Sequence, residues 1–225
     1  MTFSLAAMDP ETGMFGIGSC SSSIAVGNRC PWARAGIGAV LTQHRTDTRA
    51  GPLGLEFLAR GYSAQETVNL LVAGSEYPGQ RQFAAIDREG RTAFFNGPQI
   101  ETINTGHVGD RCVAVGNFLA SGTVTQDMVT AYETSRGAAF AERLLAAVDA
   151  GVAAGGETQP VMAAALLIVD KHSWPLVDLR VDFEVNPHHG LRRLWRAYEP
   201  LVERFTLQVL RPFELKPLIN SALTI

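Results

Sequence analysis

The chain has 225 residues, of which 46% are hydrophobic and only 18% charged, so it can fill one generous core and carries less surface charge than an average domain. Its net charge is −3, and its basic residues are scattered apart from Arg192, Arg193 and Arg196, which excludes the basic stripe of a nucleic-acid binder. Three cysteines (Cys20, Cys30, Cys112) without CxxC spacing exclude a disulfide framework and a structural zinc site, and no run approaches the ~20 apolar residues of a membrane span; with no basic, apolar leader, the expectation is a cytoplasmic protein.

Residues 2–8 read as a short buried strand, and Asp9-Pro10-Glu11-Thr12-Gly13 as a turn. A second strand, 14–23, carries Gly16, Gly18, Ser19, Cys20, Ser21, Ser22 and Ser23, an arm stripped of bulk that backbone or a ligand can approach closely. A third strand covers 36–43. Helices follow at 51–60, closed by Gly61, and 63–73, closed by Gly74, with Ser63 and Glu66 forming a capping box. Strands at 81–87 and 91–96 flank a Glu89-Gly90 turn, and another covers 112–117. Helices at 125–135 and 138–152, strands at 161–170 and 176–185, a helix at 189–207 and an irregular tail, 211–225, complete the chain.

Strand blocks separated by helix pairs do not suit a parallel βαβ sheet. They predict an α+β protein, a four-layer αββα sandwich of two antiparallel sheets, built as one domain over 1–210. Strands covered on both faces explain why 161–169 are apolar throughout.

The stretches ThrPheSerLeuAlaAlaMetAspProGluThrGlyMetPheGly (2–16), AlaValGly (25–27), ProTrpAlaArgAlaGlyIleGlyAlaValLeuThrGln (31–43), GlyProLeuGlyLeuGluPheLeu (51–58), ValGlyAsnPheLeuAla (115–120), PheAlaGluArgLeuLeuAlaAla (140–147), ValAspLeuArgVal (177–181), LeuArgArgLeu (191–194) and ArgAlaTyrGlu (196–199) resemble the bacterial family catalogued as domain of unknown function 1028. The resemblance runs in consistent order over roughly residues 2–205. It implies the fold of the N-terminal-nucleophile (Ntn) hydrolases and, with it, amide hydrolysis, but no substrate. Family members carry AspxArgGlyxGlnSerAla before the apolar strand. Here GlyGlyGluThrGlnProValMetAlaAla (155–164) stands instead, without the Arg, Gln and Ser, so a site using that loop is altered.

Chemistry of that class needs a Thr, Ser or Cys whose own α-amine is the general base, and Thr2, exposed once Met1 is removed, fits that role. Gly116 and Asn117 are the candidates for oxyanion donors, and Arg34 for the cation that lowers the nucleophile's proton affinity. Ser19, Ser21 and Ser23, with Gln43 and His44 at the end of the third strand, are candidate substrate contacts. No nucleotide-binding glycine motif occurs, and Asp178 with Asp182 lacks a third ligand, so neither cofactor nor metal is expected. His188 and His189 read as structural. Leu191, Leu194, Trp195, Tyr198, Leu201, Val202 and Phe205 form a wide apolar stripe that predicts a homodimer. The function expected is hydrolysis of a small amide or acylated amine; the alternative is a small-molecule-binding or structural protein that keeps the fold without the reaction.

Overall fold

The computed structural model describes residues 1–215. β1 (Thr2–Met8) and β2 (Phe15–Ser21) form a hairpin whose turn is closed by Gly13 N–H donating to Asp9 O at 2.9 Å, with Gly13 at φ 75°. β3 (Pro31–Arg34) and β4 (Gly38–Gln43) follow, then α1 (Ala50–Ala59) and α2 (Ala64–Gly74). Next come β5 (Gln82–Asp87), β6 (Thr92–Asn96), β7 (Asn104–Gly109) and β8 (Cys112–Asn117), and then α3 (Val124–Thr134) and α4 (Phe140–Ala153). β9 (Ala163–Val169), β10 (Val177–Val181), α5 (Pro187–Tyr198) and α6 (Val202–Leu210) complete the described chain.

Two antiparallel sheets result, one of six strands in the order β10-β9-β2-β1-β8-β7 and one of four in the order β3-β4-β5-β6. Strand alternation sorts the apolar residues into three interfaces. Phe3, Leu5, Ala7, Cys20, Ala114 and Leu166 pack against α3, α4 and α5 through Met128, Leu144, Val148 and Leu191. Ala6, Ile17, Val113 and Val115 meet Ala39, Leu41, Ala84 and Ile86 between the sheets. Val40, Phe83, Ala85 and Ala93 take α1 and α2 through Leu55, Leu58, Val68 and Leu71. The layers are therefore helix, sheet, sheet, helix, as expected.

The capping box forms as expected: Ser63 Oγ accepts from Glu66 N–H, and Ser63 N–H donates to Glu66 Oε2 at 2.8 Å. Gly61 takes the left-handed cap at φ 92°, whereas Gly74 ends α2 and Ser75 caps it in an extended conformation.

Several boundaries depart from the expectation. β3 and β7 are additional edge strands. β3 opens on Pro31, which an edge tolerates, and β7 (NTGHVG) is half-exposed with no apolar alternation to betray it. β2 ends at Ser21, short of 23, and β10 at Val181, short of 185. The helix expected over 189–207 is two helices, because Pro200 lacks the N–H a continuous helix would need and Glu199–Leu201 winds as a 3-10 turn. In the tail, Pro212–Glu214 is also a 3-10 turn, and Pro217 lies outside the described residues. No helix among the described residues is long and apolar enough to cross a membrane.

Candidate active site at the polar end of the sheets

Along five strands the face turned to the opposite sheet changes from apolar to polar toward one end. On β1 it reads Ala6, Ser4, Thr2; on β2 Ile17, Ser19, Ser21; on β8 Val113, Val115, Asn117; on β4 Ala39, Leu41, Gln43; on β5 Ile86, Ala84, Gln82. Burying hydroxyls and amides without partners is costly, and most of these are wired to one another. Gln43 Nε2 donates to Gln82 Oε1 at 2.7 Å and to Val115 O at 3.1 Å, and Ser4 Oγ donates to Gln43 Oε1 at 3.1 Å. Gln82 Nε2 donates to Gly116 O at 2.9 Å and Asn96 Oδ1 at 2.8 Å, and Asn117 Nδ2 donates to Gln82 Oε1 at 2.9 Å. Gln82, itself fully buried with Gln43 and Asn117, is thus the hub of an amide network. Gln82→Leu leaves the donors of Gln43 and Asn117 without that acceptor, and is expected to cost about 3 kcal/mol in urea denaturation.

Thr2 stands at the rim of this network, opposite Asn117 in register and 4% exposed. Its Oγ1 donates to Met1 O and lies 3.4 Å from Ser21 Oγ, which itself donates to Met1 O at 2.6 Å. Gln43 Nε2 reaches the Thr2 carbonyl at 3.3 Å. A cavity of about 300 Å³ opens beside these groups, lined by Met1, Thr2, Ser23, Arg29, His44, Arg45, Thr46 and Phe118. His44 Nδ1 donates to Gln80 O at 2.7 Å and the ring stacks on Phe118 at 5.6 Å, so Nε2 is left as the basic nitrogen. Burial lowers its pKa, against the Gln80 hydrogen bond that raises it.

The structure also supplies a group the sequence did not single out. Glu157, 6% exposed, reaches into the same end of the sandwich, where its Oε2 accepts the Ser22 N–H at 3.1 Å and its Oε1 has no partner among the described residues. Burial pushes its carboxyl up to about 7, against the Ser22 hydrogen bonds and the positive amino terminus, which pull it down. The Met1 amine is lowered by burial, with the charge of Glu157 opposing. The one sequence signal for Glu157 was its place in the altered loop at 155–164.

The remaining candidates divide. Thr2, Ser21, Ser23, Gln43, His44 and Asn117 come together. Ser19 Oγ is buried one step deeper without a partner. Gly116 sits inside β8, paired with Phe3 and Thr105, and its carbonyl is taken by Gln82. Asn117 has its side-chain donors turned to Gln82 and its Oδ1 unpartnered. Arg34 is not at the site: it lies on the edge strand, ion-paired with Glu56 at 2.8 Å on the surface, and the cations at Thr2 are Arg29 and Arg45. Thiol nucleophiles are disfavoured, because burial raises the pKa of Cys20 and Cys30, and of Cys112 to about 12.

A larger cavity, about 640 Å³, lies at the other end of β1. There Arg143 stands 3.7 Å from Asp9 and over the Tyr132 ring, and Thr12, the one hydroxyl residue lining it, is bonded to Asp9. Volume favours that cavity, but the hydroxyls of Thr2, Ser23 and Thr46 beside the His44 imidazole favour the smaller one, and reactivity follows the groups. No cluster of three or more metal-ligating side chains occurs among the described residues.

A family model described as "Family of unknown function (DUF1028)" matches residues 2–191. Among solved structures, protein SPO2555 from Silicibacter pomeroyi, itself described as DUF1028, is 30% identical with a TM-score of 0.82, covering 88% of each chain. Anbu (ancestral beta-subunit) from Yersinia bercovieri aligns over 96% of this chain and 99% of its own, at 11% identity and a TM-score of 0.39. No curated protein matches.

Proposed function

The chain belongs to the DUF1028 family, and from that footing we propose that it is an Ntn-type amidohydrolase of small amides or acylated amines, with Thr2 as nucleophile. The observation that carries this reading is the convergence of five polar strand ends on a Thr2 hydroxyl that opens into a cavity.

Cleavage of the Met1–Thr2 bond converts the Thr2 nitrogen from an amide to an amine, which ordinarily titrates near 7.7–8.0. That amine takes the proton from Oγ1 as the oxygen attacks the substrate carbonyl. The tetrahedral intermediate collapses as the amine returns the proton to the leaving nitrogen, so the C–N bond breaks and an ester to Thr2 remains. Water, deprotonated by the same amine, attacks the ester, and the products are a carboxylic acid and free Thr2. Ser21 orients Oγ1, and Gln43 fixes the Thr2 carbonyl and therefore the strand end. Glu157 holds a protonatable group near the Met1 amine, a role the sequence assigned to none of its candidates.

A second reading rests on a specific contact. While Met1 is present, its carbonyl takes the hydrogen bonds of both Thr2 and Ser21, so the hydroxyls are occupied and the cavity binds without reacting. Intact-mass spectrometry after exposure to an acylating β-lactone separates the two. Loss of Met1 with an adduct on Thr2 is the expected result; a Met1-bearing mass without adduct supports the binding protein. The exposed apolar residues Leu194, Phe205, Val209 and Leu210 on α5 and α6 favour a homodimer in either case.

A further inference from the structure

We infer that the mouth beside Thr2 binds a carboxylate, so that the preferred amide carries an acidic group on its acyl side. The inference rests on the amidohydrolase reading for the word amide, but the anion site stands on its own observations.

Many arginines elsewhere are matched with acids, Arg34 with Glu56, Arg180 with Asp178, Arg192 with Asp149 and Glu142, and Arg193 with Glu184, at 2.5–2.8 Å, although the exposed Arg60 and Arg196 have no ion pair among the described residues and Arg111 bonds only the Glu89 carbonyl. At the mouth they are not. Arg45 is exposed and makes no ion pair or side-chain hydrogen bond among the described residues. Arg29 gives Nη2 to a neutral acceptor, Ile24 O, at 2.8 Å. Arg81 joins Arg45 in the adjoining hollow, and its Nε is buried without a partner. Asp47, on the same loop as Arg45, is already taken by Arg49 through two bonds. Among the described residues no carboxylate lines the cavity itself; the nearby buried acid, Glu157, bonds the Ser22 N–H instead.

The backbone adds a second, independent sign. His44 and Arg45 both adopt positive φ, at 52° and 46°, two successive non-glycine residues in a region L-residues rarely enter. A loop strained in this way persists only where the surroundings hold it, and such strain gathers at ligand sites. Here it sets an unpaired guanidinium in the lining of a cavity that Thr2 lines too. A guanidinium fork matches a carboxylate in two parallel hydrogen bonds, stronger and more directional than a neutral contact.

Two measurements test this. Titration calorimetry of the full chain carrying Thr2→Ala compares glutarate with the uncharged glutaramide. Glutarate is expected to bind at least about tenfold tighter, an advantage lost in Arg45→Gln and kept in part by Arg45→Lys. Hydrolysis of glutaryl p-nitroanilide against butyryl p-nitroanilide is then expected to favour the acid by a similar factor. Arg45 is exposed, so an unchanged melting temperature shows that its variants fold. Equal binding of glutarate and glutaramide, absence of binding by both, or indifference to Arg45→Gln overturns the inference. Hydrolysis of both anilides without preference overturns it while leaving the amidohydrolase intact. Arg45-dependent glutarate binding without hydrolysis of either anilide supports the anion site and overturns the amidohydrolase.

Discussion

Thr2→Ala is expected to lower kcat/KM for an amide substrate by at least about a thousandfold, while Thr2→Ser retains activity within about a hundredfold. Alanine removes Oγ1 but keeps a small residue after Met1, so processing is unchanged and the α-amine is still available as base. The loss therefore reports the nucleophile alone. Stability moves little, because Thr2 sits at the end of β1 and its hydroxyl makes one contact to Ser21 at 3.4 Å besides that to Met1 O, while its carbonyl bond from Gln43 survives the substitution. Unchanged urea midpoints beside collapsed kcat/KM carry the assignment. Wild-type turnover in Thr2→Ala sinks it and moves attention to His44, whose Nε2 could activate a water directly. His44→Gln discriminates: with Thr2 as nucleophile it costs about tenfold or less, since the imidazole then lines the cavity without taking the proton.

The layered fold was legible in the sequence because its strongest signals are local. The small-residue arm at 14–23, the uninterrupted apolar run of β9 and the Ser63-Glu66 capping box each report their own environment within a few residues. β3 and β7 were not legible, because an edge strand pairs on one side only and β7 shows neither alternation nor β-branched enrichment. Thr2, Ser21, Gln43 and His44 could be grouped in advance because they close strands that a hairpin and its neighbours must bring together. Arg34 could not be placed that way. Its position four residues before β4 says nothing about the direction in which an edge strand turns, and it pairs with Glu56 on α1 instead. Glu157 was invisible for the opposite reason. It follows two glycines at positive φ, Gly155 and Gly156, which carry the chain back under the site across a separation of 135 residues from Ser22.

Glu157→Gln is expected to raise stability at neutral pH and to flatten its pH dependence. The wild-type carboxyl titrates near 7 in the folded chain against 4.5 when unfolded. A carboxyl with a raised folded pKa holds its proton more tightly in the native state, so the unfolded chain ionises first. Below about pH 4.5 both states are protonated and no penalty exists. Between about 4.5 and 7 stability falls as pH rises, and above that the cost levels off at about 3 kcal/mol. Glutamine keeps an oxygen to accept the Ser22 N–H at 3.1 Å but carries no charge to desolvate. Urea denaturation of both proteins at pH 5, 6, 7 and 8 should show the curves close at pH 5 and the variant progressively more stable toward pH 8. The Met1 amine feels the charge of Glu157, so the difference reports this carboxyl together with the amine beside it. A difference that does not change with pH would mean that Glu157 ionises normally. The Met1 amine would then lie beside a fixed negative charge and keep its own proton to higher pH. If the curves diverge as expected, the site holds a carboxyl that exchanges its proton near pH 7 beside an amine whose pKa burial lowers, and activity in Glu157→Gln should lose the ionisation near pH 7 from its acid limb.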